Sequence, residues 1–130
     1  MDLLPRLPIP TGLAYDQISK DDTVVRQFHD DPLCHQRMTP RAYTEAMANL
    51  ELLAAERERI HAPLFLALAG DDRIVSTPAA EQFAHTIGGD VTVREYPGMY
   101  HNILHEPDVE RVYGDLAPWL DRHLEGRAAA

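Results

Sequence analysis

The run Leu64-Phe65-Leu66-Ala67-Leu68-Ala69, preceded by Pro63 and stopped by Gly70-Asp71-Asp72, constrains this chain more than any other segment. Six apolar residues between a proline and a Gly-Asp turn are short for a helix and show no polar alternation. The spacing predicts a strand buried on both faces, the kind found in parallel sheets covered by helices. Thr77-Pro78 then opens a helix with Ala80, Phe83, Ala84 and Ile87 on one face. Gly88-Gly89 closes it, and Val91 to Tyr96 reads as a second strand. After Pro97-Gly98 and His101, a last helix is predicted from near Glu106-Pro107, with Val109, Val112, Tyr113, Leu116 and Leu120 inward, a kink at Pro118 and a frayed tail over Arg127 to Ala130. Strand, helix, strand, helix is a βαβα unit with two parallel strands and a right-handed crossover, so the fold class is α/β.

Residues 1–62 follow different rules. Pro5, Pro8, Pro10 and Gly12 interrupt any period, so residues 1–20 are expected to form a packed connector with neither helix nor strand. Asp21-Asp22 caps a short helix carrying Val24, Val25 and Phe28, which ends at Asp30-Asp31-Pro32. Thr39-Pro40 starts a longer one, to about Arg59, whose Tyr43, Ala46, Met47, Leu50, Leu53 and Ala54 recur at helical spacing. That stripe is expected to be core. Two regions result, 1–62 and 63–130.

The balance of 12 Lys and Arg against 21 Asp and Glu gives a net charge of -9, which repels phosphate backbones and disfavours nucleic acid as a partner. A hydrophobic fraction of 45% with 25% charged residues is that of a soluble globular chain. Its longest apolar run, Leu64 to Ala69, falls far short of the ~20 residues of a transmembrane helix. Met1-Asp2-Leu3-Leu4-Pro5 lacks the basic start and apolar continuity of a signal peptide. The single cysteine, Cys34, allows no internal disulfide, so a reducing, cytoplasmic setting is expected.

Ligands of open parallel sheets meet the carboxyl ends of the strands. There this chain places Asp71-Asp72 after the first strand and His101 just past the second. A carboxylate bonded to an imidazole fixes its tautomer and stabilises its cation, as a general base needs. Spacing alone leaves open that the acids only shape a turn and that His101 is a surface histidine.

Two segments carry more. Gly70-Asp71-Asp72-Arg73-Ile74-Val75 and Tyr96-Pro97-Gly98-Met99-Tyr100-His101-Asn102-Ile103-Leu104-His105-Glu106 together resemble the monoacylglycerol lipase and lysophospholipase branch of the α/β-hydrolases. That branch has its acid in a Gly-x-Asp-Arg-like turn and its histidine in a Tyr-x-Gly-x-Tyr-His segment followed by an Asn-Glu pair, here His105-Glu106. Gly12-Leu13-Ala14, Ile18-Ser19, Asp31-Pro32-Leu33 and the helix from Thr39 resemble its cap, so residues 1–62 would be a cap and 63–130 the C-terminal βαβα part of a partial α/β-hydrolase fold. The resemblance implies Asp72 as triad acid, with Asp71 second because Arg73 sets the register, and His101 as base. It implies no cofactor, no metal, and a lipid-like ester as substrate.

Such enzymes carry the nucleophile in a Gly-x-Ser-x-Gly elbow. The only serines here, Ser19 and Ser76, lie outside any such pattern. The chain is therefore expected to be a portion of a serine hydrolase, inactive alone, whose partner is the N-terminal half of the fold from the same gene or a companion chain. An uncovered edge on the Leu64 strand also allows a homodimer. Three alternatives remain: Cys34 as nucleophile, a metal held by His101 and His105 at i, i+4, and a non-catalytic binding module descended from a hydrolase.

Overall fold

The computed structural model describes residues 6–128. The reading of Met1 to Pro5 and the last two residues of the tail lie outside them. Strand β3 (Leu64–Ala69) and strand β4 (Val91–Tyr96) pair parallel in the register Leu64 to Val91 through Ala69 to Tyr96. Between them runs helix α3 (Thr77–Ala84), and after β4 comes helix α4 (Glu110–Ala128). This is the expected βαβα unit.

The local devices differ in detail from the sequence expectation. Ser76, one residue before the expected cap, accepts the Ala79 N–H, while Thr77 Oγ1 donates to the Ala69 carbonyl at 2.6 Å and ties the helix to the end of β3. Helix α3 stops at Ala84, ahead of Gly88-Gly89, unwinding through Thr86 N–H to Phe83 and Ile87 N–H to Ala84. Gly89 is needed for another reason: a Cβ there would sit 2.9 Å from the Ile60 carbonyl oxygen. Helix α4 opens at Glu110, later than expected, because the chain first makes a 3₁₀ turn at Ile103–His105 and Glu106 turns its carboxylate inward. The helix continues through Pro118.

A small core forms where the strands end. Ala69, Tyr96, Met99 and Val112 are buried together, with Ala67 and Ile103 packed against them. Further along α4, Trp119 is buried beside Phe65 and donates its Nε1–H to Thr92 Oγ1 at 3.1 Å. The strand β3, expected to be buried on both faces, is fully buried only at Leu68 and Ala69; Leu64 to Ala67 are half-buried because β3 has a hydrogen-bonded neighbour on one side only among the described residues.

Residues 6–20 are more ordered than the connector expected there, with a short strand and a 3₁₀ turn at Tyr15–Gln17. Strand β1 (Ile9–Pro10) pairs antiparallel with strand β2 (Arg37–Met38), so the prolines do not exclude strand there: Pro10 needs no N–H at an edge. Helix α1 (Asp22–Asp30) is capped by Asp21 as expected, through the Thr23 N–H. Helix α2 (Pro40–Glu56) is capped by Thr39 and followed by a 3₁₀ turn to Arg59. Its apolar stripe is not core. No residue of α2 is buried, and Tyr43, Met47, Leu50 and Leu53 are exposed.

Candidate active site

Both segments singled out in the sequence meet at the carboxyl ends of β3 and β4. Gly70 N–H bonds the Tyr96 carbonyl and Asp71 N–H the Met99 carbonyl, each at 3.0 Å, so the parallel ladder extends into the two turns and holds them side by side. Only glycine fits at 70, since a Cβ would lie 2.7 Å from Pro97 Cα. Gly98 takes φ +82, which turns the chain off β4 and swings His101 back over β3.

Across that junction His101 Nδ1 lies 2.9 Å from Asp72 Oδ2. The other carboxylate oxygen accepts two backbone N–H groups, from Ile74 at 2.8 Å and Val75 at 2.9 Å. Burial opposes the charge on Asp72, but the Val75 N–H, the imidazole and the Ile74 N–H outweigh it and hold the carboxyl below its ordinary value. An ionised Asp72 can only accept, so the proton between the two groups resides on His101 Nδ1. The Asp72 side chain is 5% exposed and that of His101 39%, which leaves the imidazole open to solvent with the acid beneath it. Nε2 makes no hydrogen bond among the described residues.

The neighbouring candidates sort differently. Asp71 is exposed and bonds through its backbone alone, so the histidine's partner is Asp72. Ser19 Oγ donates to the His105 carbonyl and accepts the Asp21 N–H, and Ser76 caps α3. Burial and then Asp31 push the Cys34 thiol up, which makes it a poorer thiolate source. His105 pairs with Asn102 Oδ1 on a 3₁₀ turn and meets the edge of Phe28, and no group of three or more potential metal ligands forms among the described residues.

Next to the Asp72 turn, Ile74 lines a cleft of about 230 Å³ with Leu13, Tyr15, Ile18, Phe28 and Cys34. Ile103 packs against the core, while Val75 and Leu104 are exposed. Sequence reading missed the work of Glu106, quoted there only as part of a motif. Its buried carboxylate accepts the backbone N–H of Lys20 at 2.7 Å and of Tyr100 at 3.1 Å. The available signal was its place as the acid of the His105-Glu106 pair in that motif.

Residues 1–108 match the sequence profile of the family described as serine aminopeptidase, S33. This chain belongs to that family. Among the relatives of this S33 family member is the monoacylglycerol lipase of Mycolicibacterium smegmatis, 28% identical over 124 residues, covering 94% of this chain and 44% of the relative. Another is phospholipase YtpA of Bacillus subtilis, 27% identical over 124 residues, 94% of this chain and 48% of the relative. In structure, the S33 chain is similar to the crystal structure of Paleococcus ferrophilus monoacylglycerol lipase, with a TM-score of 0.85 at 27% identity over 94% of this chain and 48% of that one. The chain thus spans under half the length of the relatives it matches. The resemblance read from the two turns holds, and the fold is a partial α/β-hydrolase fold.

The described residues contain no helix long and apolar enough to cross a membrane.

Proposed function

We propose that this chain supplies the acid and the general base of an ester hydrolase acting on lipid-like esters of the monoacylglycerol or lysophospholipid kind. The observation that carries the reading is the 2.9 Å contact between His101 Nδ1 and a carboxylate of lowered pKa, at the carboxyl edge of a parallel sheet in an S33 family member. With Nδ1 donating to Asp72, the lone pair of Nε2 takes the proton of a serine hydroxyl as its oxygen attacks the ester carbonyl. The imidazolium, stabilised by Asp72, then returns that proton to the leaving alcohol, and water repeats the cycle to release the acid.

On this reading the serine lies in a segment outside these 130 residues, as both serines present have structural duties. That segment belongs to the same gene product or to a companion chain, and the open edge of β3 is where it would add a strand. Residues 1–62 serve as the cap and 63–130 as part of the catalytic core. The cleft beside Ile74 would take apolar substrate atoms. The engagement of both serines also favours a second reading, in which the chain by itself binds lipid-like esters without turning them over.

The test is to fuse the chain to the part of the M. smegmatis lipase that it does not match and assay a nitrophenyl butyrate and a monoacylglycerol. The chain alone should show no turnover, and the chimera should hydrolyse both. His101→Ala and Asp72→Ala in the folded chimera should lower the rate by roughly a thousandfold or more. Folded variants that keep the parent rate would exclude the acid–base role, and turnover by the chain alone would exclude an external serine.

A further inference from the structure

Ile18 to Asp21 and Tyr100 to Glu106 are far apart in sequence, yet they are joined along their length. Asn102 N–H donates to the Ile18 carbonyl at 2.9 Å, and Ser19 Oγ donates to the His105 carbonyl at 2.9 Å. At the centre is Glu106. One carboxylate oxygen takes the Lys20 N–H at 2.7 Å and the other takes the Tyr100 N–H at 3.1 Å, with the Lys20 ammonium 3.7 Å away. The Glu106 side chain is 0% exposed.

A fully buried carboxylate is costly unless its oxygens are bonded, and here the bonds go to two backbone segments. One of those segments is the residue immediately before His101. The other is the stretch through which residues 1–62 reach the sheet. On the outer side, Tyr100 is covered by the Arg73 guanidinium, 4.0 Å from the ring centroid, and Arg73 follows Asp72 directly. The backbone of Tyr100 is therefore held from beneath by Glu106 while its ring is held from the Asp72 turn.

We propose that Glu106 is a positioning residue, whose carboxylate clamps the Tyr100-His101 backbone to the Lys20 segment and so sets where the His101 imidazole stands over Asp72. The inference rests on the reading of Asp72 and His101 as an acid–base pair. It makes the imidazole's placement depend on the root of residues 1–62: a shift of the Lys20 backbone is transmitted to Tyr100 through one carboxylate. Lys20 reaches the carboxylate through its amide, and its ammonium adds a compensating charge 3.7 Å away.

The test follows the proton on His101 Nδ1 by NMR in the ¹⁵N-labelled 130-residue chain. Glu106→Gln should speed exchange of that proton with water by roughly tenfold or more, the scale of one lost charge-assisted hydrogen bond, while the chain still melts cooperatively. Lys20→Met, which keeps the amide and removes only the charge, should accelerate exchange less than Glu106→Gln does. Val112→Ala, which loosens the core without touching the clamp, should leave the rate unchanged. If Glu106→Gln does not melt cooperatively, Ser19→Ala carries the same test, with a smaller acceleration expected. An unchanged rate in the Glu106 or Ser19 variant overturns the proposal, as does equal acceleration in Val112→Ala. A proton signal that survives in Asp72→Asn overturns instead the Asp72–His101 reading beneath it.

Discussion

The two regions of this chain are held together by different forces. Every buried apolar residue among those described lies in the β3–α4 unit: Leu68, Ala69, Ala84, Ile87, Tyr96, Met99, Val112 and Trp119. In residues 6–62 the only buried residue is Ser19, and it is polar. The second region therefore has a core, and the first has caps, turns and a polar seam to the histidine turn. Local signals suffice to build helices α1 and α2, and the apolar contacts of α1 through Phe28 are only half-buried. The first region meets the second through half-buried apolar contacts and a few hydrogen bonds made at the edge of the candidate site.

That contrast can be broken most forcefully in the core. Met99→Ala removes a side chain that is 1% exposed, and we expect a loss of about 2–5 kcal/mol in urea unfolding. A loss near zero would mean that this cluster is not what holds the second region. At the seam, Ser19→Ala deletes the donor to His105 and the acceptor for Asp21 N–H, with an expected cost of about 1–2 kcal/mol. Hydrogen exchange should then rise in residues 18–21 and 102–106 and stay slow in β3 and β4.

A smaller effect is expected at the far end of α4. His123 Nδ1 faces the Trp119 carbonyl at 2.7 Å and Nε2 faces Asp90 at 2.9 Å, so both ring nitrogens meet acceptors and the imidazolium satisfies both. The Asp90 hydrogen bond and then the Trp119 carbonyl raise its pKa. A raised folded value means that its stabilisation is fully present below the ordinary histidine value of 6.5 and is lost as pH rises through the folded value. The urea midpoint should decline over that interval, and His123→Gln should flatten the decline. The smallest effect belongs to α2, where Leu50→Ser should change stability by no more than about 0.5 kcal/mol. A larger loss would show that the stripe is covered in solution.

The βαβα unit was legible because its signals are local: a continuous apolar run, a proline-started helix and a glycine turn each announce themselves within six or eight residues. The same holds for the Asp21 and Thr39 caps. What escaped was long-range. No period links Glu106 to Lys20 or Ser19 to His105, pairs 86 positions apart, so neither the inward turn of Glu106 nor the late start of α4 was visible. The α2 stripe misled for the same reason, since periodicity gives a helix an apolar face but not a neighbour to cover it. The Asp72–His101 pair was legible because topology aligns the ends of parallel strands, while the choice of Asp72 over Asp71 depended on the motif.

The most direct measurement is the tautomer of neutral His101, from the two-bond ¹H–¹⁵N couplings of the imidazole in the intact chain above its pKa. A ring protonated at Nδ1 and bare at Nε2, reverting to the mixed tautomers of free histidine in Asp72→Asn, is the expected result. A ring protonated at Nε2 in the unmodified chain would contradict the claim that Asp72 orients a base.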